Sequence, residues 1–126
     1  MMVEIAPGEL IDKITILSIK RTRITNPDQL RNVEYEYQLL VGLRDSYFKG
    51  DVKLKEMQDA LQAVNEIIWK VEDDIRDHER RQDFGPTFIE LARAVYINND
   101  QRAKLKRSIN NFLNSGIIEE KSYTAY

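Results

Sequence analysis

The side chains of this sequence that could carry chemistry are concentrated in two segments of opposite charge. Residues 66–79 contain six acids and two bases, and residues 101–107 contain four bases and no acid. The acidic segment includes the only histidine of the chain, so the candidate catalytic acids and bases are Asp73, Asp77 and His78. No serine in a strained turn accompanies His78 as a nucleophile. These residues therefore define no specific reaction, and the sequence leaves open whether the protein is an enzyme.

A metal site is the second chemistry that the acidic segment could support. Asp74 and His78 are four residues apart and share one face of a helix. Metal sites in helical bundles draw ligands from several helices, and this chain has neither a second histidine nor the Glu-x-x-His pattern of di-iron proteins. Without cysteine, a Cys-ligated metal is excluded as well. We therefore predict neither a metal nor another cofactor.

Basic and amide side chains define a candidate site for a small anionic ligand. A guanidinium group at a buried helix seam is costly unless it is paired, so it is often retained for a ligand or a salt bridge. The predicted ligand site, between helices, consists of Arg76, Arg93, Asn98, Asn99, Arg102 and Lys106. The alternative is that the acidic and basic segments attract one another across the bundle or face water.

Trp69, the one tryptophan, lies on the polar side of its predicted helix. Its neighbours one turn away are Asn65, Glu66, Glu72 and Asp73. A tryptophan in such a place is either covered by another part of the chain or exposed as an anchor for a partner subunit. The sequence leaves both interpretations open, and Trp69 is the candidate interface residue.

One long helix, over about 53–82, must position most of these side chains. Its apolar residues alternate at spacings of three and four, which indicates a helix packed along its whole length: Leu54, Met57, Leu61, Val64, Ile68, Val71 and Ile75, with His78 at the end. No Pro or Gly interrupts the segment. The helix spans about 43 Å at 1.5 Å per residue. Neighbouring segments must therefore supply its packing partners.

Three further helices are predicted, over about 8–23, 28–48 and 87–114. Proline, glycine and cap residues separate them, and the short link at Gly50 predicts an antiparallel hairpin of helices two and three. The fourth helix either continues through Asn98 or kinks there, and continuity is favoured. Residues 3–5 form an edge strand or a strap over the bundle. From about 117 an extended tail is expected, in which Ile117 and Ile118 dock and the end frays.

The expected fold is all-α, an antiparallel bundle of four main helices with the long helix at its centre, in a single domain of residues 1–126. The first helix is apolar over more than half of its circumference. A helix of that kind is buried on two sides or pairs with a second chain. Together with Trp69, this predicts a homodimer.

Charge and composition exclude several classes of protein. A net charge of −2 and a pI near 5.5 disfavour a nucleic-acid or anionic-membrane binder, because those partners select a positive surface. No apolar segment is long enough to span a membrane, and the first residues lack the features of a signal peptide. The absence of cysteine fits a reducing compartment. We expect a soluble cytoplasmic protein.

Five stretches spread over nearly the whole chain carry a resemblance. They read PGELIDKITIL at 7–17, EDDIRD at 72–77, DFGP at 83–86, ARAVY at 92–96 and NDQRAKLK at 99–106. Together they resemble a small family of uncharacterised bacterial and phage proteins, a domain of unknown function. The resemblance implies a self-standing helical protein and assigns no catalytic residue.

A smaller likeness is to the all-helical chorismate mutases. Their first helix carries an Ile-Asp pair preceded by a catalytic arginine. Here Ile11 and Asp12 are present, but Gly8 stands three residues before the pair. The missing arginine counts against that chemistry, which needs positive groups around a dicarboxylate substrate.

For function, the sequence favours a non-enzymatic assembly or adaptor module that contacts a protein partner through a helix face. No catalytic constellation is complete, which is the reason for this choice. The alternative is a binder or enzyme for a small anionic ligand in the polar pocket between helices. A cavity around the basic and amide groups would favour the alternative, and a filled core with their heads in solvent would favour the module.

Overall fold

The computed structural model describes residues 1–113, 120 and 122–126, and the regular structure among them is helical. Four helices follow one another: α1, Pro7–Arg23; α2, Pro27–Phe48; α3, Val52–Arg80; and α4, Pro86–Phe112. The all-α prediction is confirmed. Each helix begins one residue before its predicted start, and α1 and α2 end at the predicted residue. The predicted end of α4 at 114 lies outside the described residues.

Local sequence explains where the helices begin. α1, α2 and α4 carry a proline in the first turn, where its fixed φ suits the helix and its missing N–H is not needed. Asn26 Oδ1 accepts the N–H of Asp28 at 3.0 Å, and Asp51 Oδ1 accepts the N–H of Leu54 at 2.9 Å. Both side chains act as N-caps. Gly50 has a φ of +76°, so it makes the left-handed turn predicted between α2 and α3.

α1 packs against each of the other three helices. α3 and α4 also pack against each other, so α1, α3 and α4 form a three-helix bundle. α2 packs on the outer side of α1. The buried core where they meet consists of Leu10, Ile11, Ile14, Leu54, Leu61 and Ile109. The broad apolar surface of α1 is therefore buried on two sides. The sequence predicted either this or the pairing of α1 with a second chain.

α2 runs along α1, whereas the sequence predicted a hairpin of α2 with α3. Its inward residues, including Tyr37 and Leu40, are half-buried against the core. Near the turn, Arg44 Nη1 donates to Gln58 Oε1 of α3 at 3.0 Å. A short link fixes which ends of two helices meet, but the larger apolar face decides along which helix α2 packs, and that face belongs to α1.

α4 is continuous through 98–100, as favoured. Asn98 Nδ2 donates to the Ala94 carbonyl at 2.8 Å. The amide is thus bonded to the preceding turn of the same helix and does not cap a new one.

The first residues of the chain differ from their prediction. Residues 1–6 have no regular structure, and Val3 and Ile5 are exposed, so they form neither a strand nor a strap. Tyr126 packs edge-on against Tyr96 of α4, with ring centroids 5.2 Å apart, and the fraying of the end stays a prediction. Ile117 and Ile118 lie outside the described residues.

Candidate functional site

A buried polar cluster joins α1, α3 and α4 at Asp12, whose side chain is fully buried. Arg102 of α4 binds its carboxylate with two hydrogen bonds, Nε to Oδ1 at 2.9 Å and Nη2 to Oδ2 at 2.5 Å. Asn65 of α3 donates from Nδ2 to Asp12 Oδ1 at 2.9 Å and to Thr15 Oγ1 at 2.7 Å. The Thr15 hydroxyl donates to the Asp12 carbonyl at 2.7 Å. A buried carboxylate with this many donors is electrostatically satisfied within the chain.

The first turn of α1 is bound to α4 by two further contacts. The N–H of Gly8, which has no acceptor within its own helix, donates to Asn110 Oδ1 at 2.7 Å. Lys106 Nζ lies 2.7 Å from Glu9 Oε2. A Cβ atom on Gly8 would lie 2.8 Å from Asn110 Oδ1 and would also overlap the Lys106 carbonyl. Glycine is therefore required here for two helix backbones to approach closely.

The structure places the six residues of the predicted anionic site in different surroundings. Arg102 and Lys106 are paired with acids of α1, so for these two cations the salt-bridge interpretation holds. Together with Asn99 they line one cavity of about 280 Å³, to which Glu120 and Tyr123 also contribute. Arg76, Arg93 and Asn98 do not line this cavity.

Those three residues have other environments. Arg76 is exposed and pairs with Glu72 at 2.6 Å, Arg93 is exposed, and Asn98 bonds to its own helix. One interpretation of the sequence was that the acidic part of α3 and the basic part of α4 attract one another. Arg102 and Lys106 of α4 instead bind carboxylates of α1.

A second cavity, which we call the α1–α3 groove, has a volume of about 430 Å³. Its lining residues are Ile16, Ile19, Asn65, Ile68, Trp69, Glu72, Asp73, Arg76 and Arg102. The Asp12 cluster forms one end, because Asn65 and Arg102 belong to both. From Asn65 to Arg76 the groove follows α3 for about 16 Å, or three helical turns.

Trp69 lies in this groove, half-buried beside Ile16 and Ile19 of α1. Glu66 lies one turn before it and Asp73 one turn after it on the same face of α3. Neither carboxylate has an ion-pair partner among the residues that the structure describes. The aromatic ring therefore stands between two carboxylates that form no ion pair with a described residue.

The three candidate catalytic residues have different surroundings. Asp73 lines the groove, whereas Asp77 is paired with Arg81 at 3.0 Å. His78 is buried at the α3–α4 turn, with Nδ1 3.2 Å from the Asp83 carbonyl oxygen and its ring 6.4 Å from that of Phe88. Within the described part of the chain, no three His, Asp or Glu side chains cluster in a way that could hold a metal ion.

Comparison with known proteins identifies the family of the chain. Residues 1–126 match a family of unknown function, DUF6165. The chain belongs to this family. The resemblance to a domain of unknown function is thereby confirmed over the whole chain. No curated protein and no solved structure matches the chain. No helix in the described part of this family member is both long and apolar enough to cross a membrane.

Sequence reasoning missed the Asp12 cluster, although a signal for it was present. Gly8, Asp12, Thr15 and Ile19 recur at spacings of four, three and four, so they form one seam of α1. An acid at a seam position of an otherwise apolar helix requires a buried donor. The matching donor is Arg102, which lies at a seam position of α4. The sequence pattern placed it in the predicted anionic-ligand site.

Proposed function

We propose that this protein is a non-enzymatic docking module whose α1–α3 groove binds a basic amphipathic helix of a partner protein. The observation that supports it is the position of Trp69 in a partly apolar groove, between two carboxylates that have no ion-pair partner in the described part of the chain. Tryptophan is among the residues that contribute most to binding when a partner covers them.

The shape and lining of the groove fit a helix. Ile16, Ile19, Ile68 and Trp69 supply an apolar surface formed by two neighbouring helices. Amphipathic helices bind by laying their apolar face into such a groove, with anchors spaced one turn apart. The groove is about three turns long, so two or three anchor side chains of a partner would occupy it.

Charge determines which helix fits. Glu66 and Asp73 flank the apolar surface and carry no intrachain ion pair among the described residues. Lysine or arginine beside the anchors of the partner would pair with them and bring a cation near the face of the Trp69 ring. An acidic helix of the same shape would be repelled.

The test uses Trp69 as its own reporter, because it is the only tryptophan of the chain. The probe is a designed helix of about 18 residues, long enough to be helical, with leucine on one face, lysine on the other and no tryptophan. We expect saturable binding with a blue shift of Trp69 emission. The same peptide with glutamate in place of lysine should leave the emission unchanged.

Matched variants locate the binding. Glu66→Lys with Asp73→Lys should weaken binding about tenfold, since exposed pairs contribute modestly. Glu36→Lys with Glu90→Lys changes the net charge equally on exposed residues of α2 and α4 and should leave the affinity unchanged. Trp69→Ala, followed by calorimetry, should weaken binding by about 30-fold. Equal weakening by both pairs of charge variants, or an unchanged Trp69 emission at saturating peptide, would refute the proposal.

A second candidate function, the binding of a small anion, is supported by one observation. Asn99, Arg102 and Lys106 line a common cavity, to which exposed Arg107 adds a further cation. The carboxylates of Asp12, Glu9 and Glu120 already pair with the three cations, the last at 3.4 Å from Arg107, so this candidate ranks second.

Anion binding is tested by titration with inorganic phosphate while the NMR chemical shifts of the backbone amides are recorded. Binding should move the amides of 99–107 together and should weaken in Arg107→Gln but not in Lys55→Gln, an exposed cation on α3. Shifts scattered over the whole surface would indicate nonspecific ionic effects and reject the site.

A further inference from the structure

The outer face of α2 is an exposed apolar surface that shares no lining residue with the groove. Four side chains spaced four residues apart form it, and their exposed fractions are 74% for Tyr35, 59% for Leu39, 43% for Leu43 and 73% for Tyr47. α2 has no buried residue at all. Contiguous exposed apolar residues of this kind mark an interaction surface more often than isolated ones do.

Gly42 lies in the same region, and no contact with the described residues explains why this position is glycine. It stands in the middle of α2, where glycine disfavours the helix by about 1 kcal/mol relative to alanine. A Cβ atom at Gly42 would meet nothing within 4 Å, in contrast to Gly8. Its φ is not in the left-handed region, so the backbone does not require glycine either. A glycine with no intrachain reason, surrounded by exposed apolar side chains, is expected where a second backbone approaches closely.

The pattern on this face is complementary to itself. Tyr35, Leu39, Gly42 and Ser46 recur at spacings of four, three and four, so they form a seam along the outer side of α2. If two copies of α2 lie antiparallel about a two-fold axis between residues 40 and 41, Leu39 of each copy faces Gly42 of the other. Tyr35 then faces Ser46. Each large side chain meets a small one, which is the requirement of an interface that uses the same patch twice.

We propose that the protein forms a homodimer by antiparallel packing of α2 on the α2 of a second copy, with Gly42 at the crossing point. This surface is separate from the groove, so each copy in the dimer keeps its groove open. The dimer would present two grooves and bind a two-site partner more tightly than a monomer does.

The area of the patch indicates how tight the dimer is. From the exposed fractions of the four side chains, two copies would bury on the order of 1,000 Å² in total, the low end of specific interfaces. We expect a dissociation constant on the order of 10–100 μM. Sedimentation equilibrium across that range should show reversible monomer and dimer.

The decisive variant is Gly42→Leu, because it fills the hole that Leu39 of the other copy needs. Its side chain points into open space in the monomer and leucine favours the helix, so the variant should fold with an unchanged or higher melting temperature. Dimerisation should weaken at least about tenfold, from overpacking. Loss of the dimer with retained stability excludes unfolding as the cause.

Two controls separate this proposal from its rivals. Ala63→Leu adds the same side chain to an exposed small residue of α3 and should leave the dimer intact. Trp69→Ala should also leave the dimer intact while it weakens peptide binding in the groove. A wild type that stays monomeric at 1 mM, on the order of ten times the weakest expected constant, would overturn the proposal, as would a dimer that Trp69→Ala disrupts and Gly42→Leu does not.

Discussion

α1 and α2 are neighbouring helices with a proline in the first turn, and yet they differ completely in burial. Eight of the 17 residues of α1 are buried, and none of the 22 residues of α2 is. α1 carries its polar groups inward, where Asp12 and Thr15 are fully hydrogen-bonded. α2 carries apolar groups outward, where Leu39 and Tyr35 meet solvent.

This difference shows that the polarity of a side chain does not by itself decide whether the side chain is buried or exposed. Asp12 is buried because α3 and α4 supply its donors, and Leu39 is exposed because the inward face of α2 is already filled by residues such as Tyr37. Buried polar groups need partners from distant parts of the chain, whereas exposed apolar groups indicate a partner outside it.

The largest expected effect comes from breaking the buried pair of α1. Arg102→Leu leaves the fully buried Asp12 carboxylate without its cation and should lower the free energy of unfolding by about 3–5 kcal/mol. Adding Asp12→Leu to that variant should recover most of the loss, because two apolar side chains then replace the pair. Urea unfolding of the two single variants and the double variant measures the coupling. A loss below about 1 kcal/mol would mean that the pair behaves as a surface ion pair.

Next in size is the close approach of α1 to α4. Gly8→Ala places a methyl group against the Lys106 carbonyl and Asn110 Oδ1 and should destabilise the protein by about 1–3 kcal/mol, although alanine is the better helix former. Thermal and urea unfolding measure the change. A stabilised variant would show that the two backbones can separate without loss.

The same substitution in α2 should have the opposite sign. Gly42→Ala meets no atom within 4 Å and should stabilise the chain by about 0.5–1 kcal/mol when it is measured at concentrations low enough for monomer. The contrast with Gly8→Ala in the same assay sharpens the comparison of the two helices. A destabilised Gly42→Ala at low concentration would indicate an intrachain contact of α2.

The smallest effect concerns the ion pair that joins α1 to α2. Hydrogen bonds from Gln38 and then from Arg21 lower the pKa of Glu34 below its usual 4.5, and the bond to Glu34 raises the pKa of Arg21. A lowered pKa in the folded state gives stability that is present above the usual pKa and is lost as pH falls through the folded value.

Glu34→Gln should therefore reduce the loss of stability below about pH 4.5, with little change at neutral pH. The pH dependence of stability is measured as the urea midpoint between pH 3 and 7, roughly the range over which carboxylates titrate. Glu36→Gln is the neighbouring control. An acid dependence that Glu34→Gln leaves untouched would assign it to other carboxylates.

Helix positions were predictable because their signals are local. The apolar spacing that predicts α3 is readable from neighbouring residues, and the helix is observed over Val52–Arg80. The caps Asn26 and Asp51 are equally local, since each bonds an N–H two or three residues ahead. The continuity of α4 was harder, since Asn98 suits either a cap or a back-bond to Ala94, and the choice depends on packing.

The candidate site was predictable only in part, because its partners are distant in sequence. Arg102 and Lys106 were recognised as cations that need anionic partners, but nothing local indicates that Asp12 and Glu9 are those partners. Trp69 was recognised as unusual, and the structure places it half-buried in the α1–α3 groove. Its role as an interface residue stays a prediction. The packing of α2 on α1 was missed because loop length fixes which ends meet and not which faces pack.

The contacts that seat α1 have a consequence for how the chain folds. Gly8 and Asn110 are 102 residues apart, Glu9 and Lys106 are 97 apart, and Asp12 and Arg102 are 90 apart. Contacts across such separations form late, after loop-closure entropy has been overcome. On the ribosome, α1 emerges before α4, so its buried aspartate lacks its cation until α4 is synthesised. Complete burial of α1 is therefore expected to be among the last events of folding, although α1 is made before the other three helices.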